Sequence, residues 1–129
     1  MSKQAVAELF ESLAKIPTVT VEGSLEHWRA TDIDIFVGDF FELTADVLGK
    51  IDAIFDRAAL VALPLTMRIR YAANLGAITN FAPQLVITYT YDQEAMGGPP
   101  FSITKQEIIK HYQSNYTISK LASLEVEGG

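Results

Sequence analysis

The 129-residue chain contains no cysteine. Disulfides and cysteine-based zinc sites are therefore excluded, and nothing in the composition points to secretion. Basic charge is scarce as well: 10 Lys and Arg stand against 16 Asp and Glu, a formal net charge of −6. Binding a phosphate backbone needs a basic face, so nucleic acid is not expected as a partner. The two histidines, His27 and His111, lie far apart in sequence. Each reads as a surface residue, because a metal site needs several convergent ligands. No apolar run approaches the length of a membrane span, and "MSKQAVAELFESLAK" carries charges where a signal peptide would be apolar. A soluble, cytoplasmic protein without a membrane partner is expected. There is also no G-x-G-x-x-G, no P-loop, no G-x-S-x-G and no H-E-x-x-H. Without a cysteine or an elbow serine, covalent nucleophilic catalysis is not expected.

Against these absences, 49% of the residues are hydrophobic, enough for one domain with a real core. Val6, Leu9, Phe10 and Leu13 recur at helical spacing and predict an amphipathic helix stopped by Pro17. "TVTVEG" alternates and ends in glycine, which predicts a short strand or hairpin arm. "IDIFV" and "IDAIFD" (51–56) read as apolar strands. Pro64 opens a helix with Met67, Tyr71, Leu75 and Ile78 as its core stripe. "QLVITYTYD" (84–92) is the longest strand signal, rich in β-branched and aromatic residues. "SITKQEIIKHYQ" offers a Ser or Thr cap before a helix, and "YTISKLASLEVE" suggests one or two final strands.

Apolar strands alternating with helices predict an α/β fold with a buried, largely parallel sheet. Ligands of such sheets bind outside the carboxyl ends of the strands. Gly38, Asp39 and Phe40 follow one strand, Asp56 and Arg57 a second, and "YDQEAMGGPPF" a third. These groups suit binding: carboxylates accept hydrogen bonds, aromatic faces stack, and a guanidinium grips a carboxylate. By themselves the residues leave a second use open for each. Asp39 can cap a turn, Arg57 can bridge to Asp56 or another acid, and Gly97-Gly98-Pro99-Pro100 can be an ordinary loop. Asp39, Asp56 and Asp92 also stand at three strand ends, where an acidic cluster could hold a metal.

The blocks Gly38-Asp39-Phe40-Phe41, Phe55-Asp56-Arg57-Ala58-Ala59-Leu60 and Tyr91-Asp92 through Gly98-Pro99-Pro100-Phe101 resemble the thiopurine S-methyltransferase family, in order and spacing. "DRAALVALP" and "GPPFS" together make the resemblance specific. It implies a class I methyltransferase: an incomplete Rossmann-like sheet, mostly parallel, with helices on both faces and lacking the first two strands. Residues 1–129 would form a single partial methyltransferase domain, truncated at both ends. The implied methyl donor is S-adenosylmethionine, and the implied acceptor is a thiol or another soft chalcogen, selenium and tellurium included. Gly38, Asp39, Phe40 and Arg57 are implied cofactor residues, with Asp39 accepting from the adenine amino group. Arg57, Pro99, Pro100 and Phe101 are implied acceptor residues, and no catalytic residue is assigned. The family's glycine turn and ribose-binding acid have no counterpart here. The rival expectation is a non-catalytic remnant that binds or self-associates through exposed strand edges.

Overall fold

A serine at position 2 begins the first helix, its hydroxyl accepting from Ala5 N at 3.1 Å. The computed structural model describes residues 2–91 and 97–124. The chain divides into two units, Met1–Gly49 and Lys50–Gly129. In the first, α1 (Lys3–Ser12) buries Val6 and Phe10, one turn apart on a single face. It ends earlier than Pro17 requires, because Ala14 takes a left-handed φ of 54° and Lys15 N bonds back to Phe10 O at 3.0 Å. Three strands follow: β1 (Thr18–Glu22), β2 (Leu25–Ala30) and β3 (Ile33–Val37). The α1 helix reaches β2 through stacked Phe10 and Trp28 rings, 6.2 Å between centroids, and a 2.7 Å Lys3–Glu26 ion pair.

This sheet is antiparallel, in the order β1-β2-β3. The parallel setting expected for "IDIFV" is therefore not the one it has. The reason lies in the connections. Glu22 pairs with Leu25 and Ala30 with Ile33, so Gly23-Ser24 and Thr31-Asp32 are the whole of each link. A two-residue link can only return the chain antiparallel; a parallel neighbour needs a long crossover. At the exit of β3, Gly38 has a φ of +145°, and a Cβ there would lie 2.7 Å from Leu25 Cδ2. Glycine is the residue that allows β3 to leave the sheet over Leu25. A 3-10 turn (Phe40–Glu42) and the short helix α2 (Ala45–Leu48) complete the unit.

The second unit is a strand-helix-strand arrangement. Strand β4 (Ile54–Asp56) pairs in parallel with β5 (Gln84–Val86), Ile54 opposite Gln84, and α3 (Leu65–Ile78) lies in the crossover between them. The α/β class stands; among the described residues β4 and β5 form the parallel strand ladder, and an isolated parallel bridge adds to it downstream. Of the strand signal 84–92, the described residues 84–91 place only three, Gln84–Val86, in a strand. Beyond Asp56 the β4 chain turns into a 3-10 segment (Leu60–Ala62), so after Ile87 N bonds Asp56 O at 2.9 Å the ladder has no further partner. Downstream, Tyr89 bridges Ser102 in parallel. Helix α4 (Lys105–Tyr112) is capped by Thr104, whose hydroxyl accepts from Glu107 N at 3.1 Å. Of residues 116–127, expected as one or two strands, 116–124 form none and 125–127 lie outside the described residues; a strand exists only by pairing, and 116–124 join no ladder among the described residues.

The buried face of α3 carries Arg68, Tyr71, Ala72, Leu75 and Gly76, the i, i+3, i+4, i+7, i+8 pattern of one stripe. Met67 is exposed. The expected stripe was one residue out of phase at its start, and a charged side chain occupies the place assigned to a methionine. Leu60, Val61, Ile103 and Tyr112 complete this core. No helix among the described residues is long and apolar enough to cross a membrane.

Gly38 gives a direct test of the strand exit. Gly38→Ala should cost about 1–3 kcal/mol, from a disfavoured φ and a clash with Leu25. Urea unfolding measures it, and an unchanged midpoint would mean that Leu25 yields without cost.

Candidate functional site

Strand β4 delivers Asp56 to its carboxyl end with 3% of its surface exposed. An isolated buried carboxylate is costly, and hydrogen bonds must offset its lost hydration. Here its Oδ1 accepts from Ala59 N and Leu60 N, both at 3.2 Å. Its Oδ2 accepts from the Tyr71 hydroxyl at 2.7 Å. The carboxylate thus closes the turn after β4 and pins α3 to it. Burial, then the bond to Asp56, pushes the Tyr71 phenol well above its ordinary pKa. Burial, then the negative charge of Asp56, does the same to Tyr112. Both stay protonated at neutral pH. The Tyr112 hydroxyl has no partner among the described residues.

Arg57 projects from this turn into solvent. Among the described residues it forms no ion pair. A bridge to Asp56, one of the two uses open from the sequence, is not made, since backbone amides and Tyr71 already occupy that carboxylate. The next turn holds the proline loop: Phe101 N donates to Val61 O at 2.7 Å. The structure therefore ties the segment bearing Phe101 to the segment that follows Arg57. Pro99 and Pro100 are exposed and Phe101 is half-buried. The Tyr91 hydroxyl donates to Pro100 O, and the Ser102 hydroxyl accepts from Tyr91 N at 2.9 Å.

Beneath this loop lies a charged cluster that the sequence reading missed. Arg68, 6% exposed, donates from Nε and Nη2 to the two oxygens of Glu107 at 2.7 and 2.9 Å. Its Nη1 donates to Leu63 O at 2.6 Å, and its guanidinium lies 5.7 Å from the Phe101 ring centroid. His111 Nε2 sits 2.8 Å from Glu107 Oε2, its side chain 4% exposed. Burial pushes the Glu107 carboxyl up, but the bonds from Arg68 and His111 outweigh this and hold it below the usual carboxylate range. The expectation that both histidines lie on the surface is overturned. His27 is buried too, with Nε2 2.7 Å from Asp34 Oδ1, because each imidazole has found a carboxylate. Two signals were readable: Arg68 stands three and four residues before Tyr71 and Ala72, and Glu107 stands four before His111.

In the first unit, Asp39 caps the 3-10 turn, its Oδ1 accepting from Phe41 N at 2.9 Å. The capping use left open by the sequence is thus present; Asp39 is exposed, and its Oδ2 has no hydrogen-bond partner among the described residues. Phe40 and Phe41, both half-buried, meet edge to face with centroids 5.6 Å apart. They lie in a 3-10 turn, where the strict side-to-side alternation of a strand does not hold. A groove of about 460 Å³ in this unit is lined by Ala7, Phe10, Ile16, Pro17 and Trp28, among others. None of the expected site residues lines it. Of the acidic cluster considered for a metal, Asp56 is buried and already accepts from three donors, and Asp92 lies outside the described residues. No metal-type grouping of His, Cys, Asp and Glu occurs among the described residues.

Comparison with known proteins bears on this chemistry. A family model described as thiopurine S-methyltransferase matches residues 1–127. The thiopurine S-methyltransferase of Xanthobacter autotrophicus is 46% identical over 129 residues, covering 100% of this chain and 61% of that protein. That of Teredinibacter turnerae is 44% identical over 129 residues, covering 100% and 60%. That of Gluconobacter oxydans is 42% identical over 129 residues, covering 100% and 59%. The chain spans about three-fifths of the length of the curated relatives it matches.

The Glu107 cluster predicts an acid-sensitive unit. A carboxyl held below its unfolded pKa stabilises the fold fully above the unfolded value and loses that contribution as pH falls through the folded value. The unfolding midpoint should therefore drop on acidification below the ordinary carboxylate range. Glu107→Gln should start lower and show a flatter profile in the same range. Parallel profiles for the two proteins would show that other groups drive the acid loss.

Proposed function

The chain belongs to the thiopurine S-methyltransferase family, and from that membership we propose that it is part of an S-adenosylmethionine-dependent methyltransferase acting on a thiol or other soft chalcogen acceptor. The two units are read as one partial methyltransferase domain. The observation that carries the reading, besides kinship, is Arg57: an exposed guanidinium, without an ion pair among the described residues, on a turn that buried Asp56 holds rigid. A planar cation left unpaired on a fixed turn suits an anionic or carboxylate-bearing ligand.

S-adenosylmethionine, when bound, supplies an electrophilic methyl group on a sulfonium. The side chains present fit part of it. In the first unit, Asp39 has a carboxylate oxygen available to an adenine amino group, Phe40 has a half-buried aromatic ring, and Gly38 lets the chain reach that position. In the second, Arg57 suits the carboxylate of the cofactor or an acidic acceptor. Pro99, Pro100 and Phe101 suit a flat acceptor, since they combine two rigid rings with an aromatic face. No residue here corresponds to a glycine turn or a ribose-binding acid, so the fit is partial. For an ionised thiol or selenol the protein's task is to orient and to exclude water, and no general base is required. A panel of aromatic thiols, selenite and tellurite, offered with the methyl donor to the protein completed by the remaining family segments, tests the activity. Failure to methylate any of them would sink the proposal.

A second reading has its own support. Phe55 and its register partner Leu85 are 62% and 47% exposed on one face of the β4–β5 pair, next to exposed Ile87. That apolar face and the strand edges that pair with nothing among the described residues suit self-association of a non-catalytic form.

Two measurements separate these readings. Arg57→Lys should weaken ligand binding nearly as much as Arg57→Ala, because an ammonium cannot reproduce the planar fork. Both variants should unfold at the parent temperature; a loss of stability with binding intact would make Arg57 structural. The 129-residue chain on its own should bind S-adenosylmethionine weakly in calorimetry and self-associate in light scattering. Each missing charged hydrogen bond costs about 1.5–3 kcal/mol, or roughly tenfold or more in affinity. A monomer with micromolar affinity would overturn this expectation and the remnant reading with it.

A further inference from the structure

We infer that Arg68 is a positioning residue: it sets the orientation of the Phe101 ring and, through it, the aromatic wall for an acceptor. The inference rests on the acceptor role proposed above for Phe101. Arg68 contributes from below the loop and is itself almost wholly buried.

Three observations carry it. First, the guanidinium plane is fixed. Nε and Nη2 are spent on Glu107 and Nη1 on Leu63 O, so the group cannot rotate without losing several bonds. His111 steadies Glu107 by sharing the Oε2 that Arg68 Nε uses. Second, the Phe101 backbone is fixed independently by its bond to Val61 O, which leaves the side-chain torsions to be determined. Third, the ring is bounded by contacts that leave it little choice. The Arg68 guanidinium lies 5.7 Å from its centroid. A Cβ at Gly98 would come within 2.4 Å of its Cδ1, so glycine is what lets the ring lie there. A pair that served only to join α3 to α4 would need the two bonds to Glu107 and nothing over Phe101. A cation that grips a carboxylate with two parallel bonds while its central carbon lies over an aromatic ring is a combination lysine cannot supply.

The test uses the full chain with 4-fluorophenylalanine at position 101, so that the ring is observed without any need for methyl transfer. Arg68→Lys should shift or broaden the fluorine resonance while circular dichroism stays that of the parent. Thiophenol binding, followed on the same resonance, should weaken about three- to tenfold. Phe101→Leu, with binding followed by calorimetry, should weaken it by a similar factor, and the double variant should be no worse than the more impaired single one. If Arg68→Lys does not fold, Glu107→Gln, which frees the guanidinium without removing it, should move the resonance in the same direction. An unmoved resonance in a folded variant would overturn the positioning role, and so would additive losses in the double variant. If thiophenol does not bind the parent protein, the acceptor reading of Phe101 falls, and with it the wall; the resonance still decides separately whether Arg68 sets the ring.

Discussion

The second unit depends on a carboxylate withdrawn from water. Asp56 ends β4 and has to find donors where the strand gives out. It takes two from the backbone of the following turn and one from α3. Remove those donors and a buried anion remains, which costs several times what an ordinary surface contact contributes. The turn, the seat of α3 and the outward direction of Arg57 all follow from that need. The strand end is a rigid mount because of a residue that itself points inward.

The Arg68–Glu107 pair repeats the logic one layer further along. Helix α3 presents Tyr71 to Asp56 and, one turn earlier, Arg68 to Glu107 of α4. A buried pair of this kind is poor evidence for net stability, because desolvation consumes much of the attraction. Its value is geometric. Arg and Glu meet in one relative orientation, which fixes α4 against α3 and holds the guanidinium over the Phe101 ring. The polar atoms inside this core specify where things are, while Leu60, Val61, Leu75 and Ile103 supply the burial.

Much of this was legible in the sequence, for local reasons. Pro64 and Thr104 announced α3 and α4, and the β-branched and aromatic residues of 33–37 announced β3. Local chemistry did not announce β2, whose inward positions are Leu25 and His27; a histidine reads as polar until its carboxylate is known. That carboxylate, Asp34, comes from the neighbouring strand and is visible only once the register is fixed. Strand direction failed for a different reason. Apolar strands suggested a parallel sheet, but the two-residue links after Glu22 and Ala30 decide direction more firmly than composition does. Among the candidate residues, Asp39 of the first unit and Arg57 and Phe101 of the second stood out because polar and aromatic groups that follow strand signals are conspicuous in a sequence. Arg68, Glu107 and His111 did not, because their meaning lies in a packing that joins residues about forty positions apart.

The two kinds of strand pairing also differ in how far the chain must travel to make them. In the β1–β3 sheet every partner is reached across a link of two residues, so closing each loop costs little chain entropy and pairing can begin before anything else is in place. The β4–β5 pair joins Ile54 to Gln84 only after the whole of α3 has intervened, and its closure entropy is lost before the contacts repay it. The hairpins of the first unit should therefore form early and locally. The pairing that brings Ile87 back to Asp56 belongs to the later, slower part of the folding reaction.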